Sequence, residues 1–75
     1  MKSVVGPVIL GSSGVFGYFV DLASARMGLE LARKLYPDFR VSLVDLSVPE
    51  EKILAVDIDP DLGDFDTGYA VLVEA

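Results

Sequence analysis

The chain has 75 residues, with six basic and twelve acidic side chains, no histidine and no cysteine. That length gives one domain, residues 1–75, near the size at which a lone hydrophobic core is marginal. The missing residue types exclude a disulfide, the usual thiolate and imidazole zinc sites, and Ser–His or Cys–His nucleophile pairs within the chain.

Charge is unevenly spread. Residues 1–44 carry five basic side chains (Lys2, Arg26, Arg33, Lys34, Arg40) against three acidic ones (Asp21, Glu30, Asp38), a net of +2. Residues 45–75 carry nine acidic side chains against Lys52, a net of −8. A nucleic-acid partner is not expected, because phosphate contacts need a basic face. A partner with a basic surface, a cation, or a head-to-tail copy of the same chain fits this distribution.

Val4 to Leu10 is apolar and β-branched and reads as a first strand, with Pro7 marking an edge or a bulge. Ser3 to Val20 is uncharged, but Gly6, Pro7, Gly11, Gly14 and Gly17 interrupt it. The pattern therefore favours neither a cleaved leader nor a membrane span, and a cytoplasmic location without membrane contact is expected. Gly11 to Val20 reads as a glycine-punctuated loop.

A helix follows. Leu22, Ala25, Leu29, Ala32 and Tyr36 recur at helical spacing and form one apolar stripe, with Asp21 as N-cap and Pro37 as terminator. Gly28 within it costs roughly 1 kcal/mol relative to Ala, and close approach of a strand would account for it. Glu30 is spaced for ion pairs with Arg26 and Lys34.

Arg40 to Val48 reads as a second strand, with Val41 and Leu43 on one face and Val44, Leu46 and Val48 on the other. Pro49-Glu50-Glu51 reads as a turn, Lys52 to Ile58 as a third strand, Asp59 to Gly68 as an acidic turn, and Tyr69 to Glu74 as a fourth strand. The predicted fold is a single small α+β domain of order β-α-β-β-β, with one helix packed on one face of a mixed sheet. Strands apolar on both faces imply a sheet covered twice. One helix covers one face, so the other predicts a homo-oligomer or an obligate protein partner, docked on an apolar sheet face or edge. The expected function is a non-enzymatic assembly or binding module. Candidate interface residues are Phe16, Tyr18 and Phe19 after the glycines, and Leu54, Val56 and Ile58 in the third strand.

Two other stretches carry possible chemistry. Gly11, Ser12, Ser13, Gly14 and Gly17 stand between a strand and a helix, where glycines let backbone N–H groups approach a phosphate. With the helix and the strand ending in Asp45, residues 4 to 46 resemble the opening of short-chain and related Rossmann dinucleotide-binding domains. The resemblance implies phosphate or nucleotide binding at the glycines and a ribose contact from Asp45. Asp45 lies further beyond Gly17 than the family's spacing of roughly 20 residues. Arg33 to Asp45 is also similar to the helix-to-strand step of thioredoxin-like domains; without cysteine this implies packing and no redox role.

Asp57, Asp59, Asp61, Asp64 and Asp66 make an acidic run whose alternation suits a Ca²⁺ site and is similar to the start of an EF-hand loop. Gly63 falls one position late for that loop, and Gly68 stands in place of its final glutamate. A solvated turn with local Asx hydrogen bonds is the alternative, and an acidic docking loop a third. No cofactor other than Ca²⁺ is suggested. Ser12 and Ser13 have no evident base, and Asp59 and Asp61 sit in an exposed turn, so no catalytic residue is assigned.

Overall fold

The computed structural model describes residues 13–74. It is an α+β domain in which strands β1 (Ser13–Phe19), β2 (Arg40–Asp45) and β3 (Tyr69–Glu74) join with helices α1 (Leu22–Leu35) and α2 (Pro49–Ile58) and a 3-10 turn at Pro60–Asp64. The predicted first strand, Val4–Leu10, lies outside the described residues. Among the described residues the sheet is antiparallel in the order β1-β3-β2, so the last strand of the chain is its centre. The central position fits the burial of Ala70, Val71, Leu72 and Val73, none of them more than 2% exposed.

β1 replaces the predicted loop over Ser13–Phe19. Glycine argued for a loop, but Val15, Phe16, Tyr18 and Phe19 pack on both faces of the sheet, and that packing outweighs local preference. The register against β3 slips between Val15 and Gly17, so Phe16 and Gly17 together oppose Val71. The bulge sends Val15 and Tyr18 to one face and Phe16 and Phe19 to the other.

α1 forms as its spacing predicts, except that Leu22, the first residue of the expected stripe, is exposed at the helix start. The Asp21 carboxylate accepts hydrogen bonds from the Ser24 N–H at 2.9 Å and the Ser24 hydroxyl at 3.0 Å, closing the helix N-terminus. Ala25, Gly28 and Ala32 are buried, and Leu29 and Tyr36 pack beside them. Gly28 faces the Phe19 ring, which accounts for glycine at a helical position. The one helical ion pair is Glu30–Arg33 at 3.6 Å among the described residues, rather than a pair with Arg26 or Lys34.

The largest correction concerns Lys52–Ile58, which is helix and not strand. Pro49 at the first turn, followed by Glu50 and Glu51, is a helix opening: proline loses no bond there, and carboxylates favour the positive end of the dipole. The short apolar run Ile53-Leu54-Ala55-Val56 has no periodicity to separate helix from buried strand. The order within the described residues is therefore β-α-β-α-β. α2 has a structural consequence: Ala55, Leu62 of the 3-10 turn, Val56 and Ile58 cover the Val44–Leu46–Ala70–Leu72 face of the sheet. α1 covers the opposite face through Ala32 and Leu29, against Val71, Val73, Val41 and Leu43. No apolar sheet face of the kind expected from the sequence is left open where α2 lies.

Candidate functional site

With the sheet covered on both sides, the exposed apolar surface moves to the helices. On α1, Met27, Leu31 and Leu35 are 73%, 50% and 56% exposed. They stand four residues apart and so make one stripe along the helix, beside the buried row Ala25–Gly28–Ala32. Arg26, Arg33 and Lys34 are exposed on the same helix, with Glu30 as its only exposed carboxylate between Leu22 and Leu35. On α2, Ile53 and Leu54 are 67% and 59% exposed. The charged neighbours there are of the other sign: Glu50, Asp57, Asp61 and Asp64 are exposed on α2 and the 3-10 turn. Because the two helices cover opposite faces of the sheet, the molecule presents a cation-flanked apolar stripe on one side and an anion-flanked apolar patch on the other.

The predicted interface aromatics do not form a common surface. Phe16 meets Tyr36 edge-on at 6.4 Å on the α1 side, and Phe19 packs there against Gly28. Tyr18 lies on the other side, stacked on Phe65 at 4.4 Å, and its hydroxyl donates to the Thr67 carbonyl at 3.0 Å. All three are half-buried packing residues, and the bulge between Val15 and Gly17 puts Phe16 and Tyr18, two residues apart, on opposite sides. Leu54, Val56 and Ile58 are on α2: Leu54 is exposed, while Val56 and Ile58 pack against the core. Met27, Leu31, Leu35 and Ile53 were missed by the sequence reading. Their signal was present in the four-residue spacing of the first three, on a helix whose buried stripe leaves them out.

The residues proposed for phosphate contact do not make a loop over the described part. Gly11 and Ser12 lie outside the described residues; Ser13, Gly14 and Gly17 are in β1. The helix that follows opens on the Asp21 carboxylate, a negative charge in the position an anion would take. Ser24 N–H and hydroxyl hold the Asp21 carboxyl below its ordinary value. Asp45, the residue the Rossmann resemblance gives to a ribose, instead accepts from the Ser47 hydroxyl at 2.6 Å and the Ser47 N–H at 2.9 Å. Those two bonds, the hydroxyl first, lower its carboxyl likewise.

The acidic run is dispersed. Asp57 belongs to α2, Asp59 accepts from the Asp61 N–H at 3.1 Å to start the 3-10 turn, Asp61 and Asp64 are exposed on that turn, and Asp66 pairs with Lys52 at 3.1 Å. Among the described residues no three acidic side chains converge as a metal ion would need, so the Ca²⁺ geometry expected from Asp57 to Asp66 is not formed. Also among the described residues, no helix is long and apolar enough to cross a membrane. Comparison with protein-family models, curated proteins and solved structures finds no match to this chain.

Proposed function

We propose that this chain is a small non-enzymatic assembly module that associates head to tail, the α1 stripe of one copy resting on the outer face of α2 in the next. One observation carries the reading: large apolar side chains are exposed on both helices, and the charges around them are opposite in sign. Burying a Met or Leu that stands half exposed is favourable at about 25 cal/mol per Å² of apolar surface. The flanking Arg26, Arg33 and Lys34 meet Glu50, Asp57 and Asp61, which orients the contact and disfavours α1 on α1. The contact is heterologous, so nothing limits it to a dimer unless the rotation between copies closes a ring. The absence of histidine and cysteine from the chain, and the exposure of most of its carboxylates among the described residues, support a role without catalysis.

The test is light scattering on the purified protein, with two single variants. Wild type is expected to exceed its monomer mass of 8.0 kDa increasingly with concentration, and less so in high salt. Leu31→Glu and Ile53→Lys each disable one half of the contact and leave the other. Each alone is expected to be monomeric, while their mixture forms a one-to-one pair that grows no further. A wild type that stays monomeric at hundreds of micromolar would overturn the reading.

A further inference from the structure

A second feature of the molecule is independent of the α1 stripe. β2 is bonded to β3 on one side only, among the described residues. Its bonding pattern can be followed residue by residue. Leu46 N–H donates to the Gly68 carbonyl at 2.9 Å, which places Leu46, and by alternation Val44, Ser42 and Arg40, on the β3 side of the ladder. Asp45, Leu43 and Val41 therefore direct their N–H and C=O groups to the outer edge. Asp45 is closed off there: its N–H donates to Glu51 Oε1 at 2.8 Å, and its carbonyl accepts from Val48 N–H at 3.1 Å. Val41 and Leu43 have no such caps among the described residues, leaving two N–H and two C=O groups at the edge.

Along this edge runs a groove of about 500 Å³ between β2 and α2. Ser42 and Val44 of β2 and Leu72 of β3 form its floor, and Leu54 and Ile58 of α2 its wall. Carboxylates mark both ends: Glu51 beside the Asp45 end, and Asp57 with Glu74 beside the Arg40 end. Among the described residues, Arg40 is the only cation lining the groove.

We infer that this groove and the β2 edge, unpaired among the described residues, together form a docking site for an extended, cationic segment of a partner protein, which adds to the sheet as a strand beside β2. Backbone pairing to Val41 and Leu43 supplies register-independent affinity, and the groove reads alternate side chains of the incoming strand. The order of lining residues points to the chemistry: a basic side chain near Glu51, an apolar one against Leu54 and Ile58, and a basic one near Asp57, while Glu74 lies across β2 as the partner of Arg40. Side chains at the intervening positions point to the α1 side of the sheet. A second copy of β2 is disfavoured as the occupant, because its own Asp45 and groove carboxylates would approach a rim of the same sign.

The probe is the peptide acetyl-Thr-Lys-Thr-Val-Thr-Lys-Thr-amide, titrated into the isotope-labelled full chain at low salt. Its amide resonances report the site. Binding is expected to shift and to protect from hydrogen exchange the amides of Val41 and Leu43. The same peptide with Glu for each Lys is expected to bind about tenfold more weakly or worse, as is the Lys peptide to Leu54→Lys. Leu54 is exposed, so that variant keeps the core intact. Leu31→Glu, which removes the α1 stripe, is expected to bind the Lys peptide with unchanged affinity; this separates the edge site from head-to-tail association. Shifts confined to other residues, equal affinity for the acidic peptide, or Val41 and Leu43 amides already protected in the protein alone would each overturn the inference.

Discussion

The ring of Phe19 occupies the space a side chain on Gly28 would need: a methyl group there would meet the ring's Cζ and stand 2.8 Å from its Cε1. β1 and α1 are thus keyed to one another by one aromatic ring and one missing Cβ. The bulge at Phe16–Gly17 adds to the fit, since a Cβ on Gly17 would reach the same ring at 3.0 Å.

Gly28→Ala is therefore expected to destabilise the fold, although alanine in a free helix gains roughly 1 kcal/mol over glycine. The overpacking cost is about 1–3 kcal/mol, and contacts this close put it in the upper part of that range, leaving a net loss measurable by urea unfolding. Phe19→Leu shortens the side chain at the point of contact. In a double-mutant cycle the pair should show a favourable coupling of about 1 kcal/mol; strict additivity would mean that the two residues do not meet.

Gly68 has φ +103°, and the Tyr18 hydroxyl lies where its side chain would go. Gly68→Ala is expected to cost about 1–3 kcal/mol from the backbone conformation alone. Tyr18→Phe removes the bond to the Thr67 carbonyl, worth about 0.5–1.5 kcal/mol, and frees only the space of the hydroxyl, since ring carbons Cε1 and Cζ stay 2.7 Å from a Cβ at Gly68. The double variant should recover only part of the Gly68→Ala loss, because the φ strain and the ring contact remain. Full recovery in thermal unfolding would place the whole effect in the clash with the hydroxyl.

Asp21 and Asp45 each have a carboxyl lowered from 3.8 by Ser24 and Ser47 respectively. A carboxyl that is more acidic folded than unfolded stabilises the fold above the unfolded value and stops doing so as pH falls through the folded one. Stability is thus expected to be flat through neutrality and to fall below about pH 4. Asp21→Asn keeps an effective cap and should flatten part of that acid limb, whereas Asp21→Ala should lower the melting temperature at pH 7. An acid limb unchanged by Asp21→Asn would show that the cap contributes nothing to it.

Leu46 is 1% exposed in the core beneath α2, while Leu31 stands on the α1 stripe. Leu46→Ala is expected to cost about 2–5 kcal/mol, a large share of what so small a domain has. Leu31→Ala should leave monomer stability within about 0.5 kcal/mol while weakening self-association. Denaturant unfolding beside sedimentation separates the two effects; equal loss of stability in both variants would mean that Leu31 belongs to the core.

Sequence was sufficient for α1, from its Asp21 cap to its end before Pro37, for β3, and for the start of β2; β2 ends at Asp45 and not at the expected Val48, because Asp45 turns the chain through its bonds with Ser47 and Val48. The sequence also carried the opposed charges of the two halves, on which the proposed head-to-tail contact rests. It did not separate helix from strand at Ile53-Leu54-Ala55-Val56, where all neighbours are apolar and no period exists, and it took the glycines of β1 for a loop. Only the tertiary structure decided that α2 and the 3-10 turn cover the second sheet face. That moves the exposed apolar surface from the sheet to Met27, Leu31, Leu35 and Ile53. The reason is physical: a strand's partner, and the layer laid over it, are set by distant residues competing to bury the same surface, and no local window contains that competition.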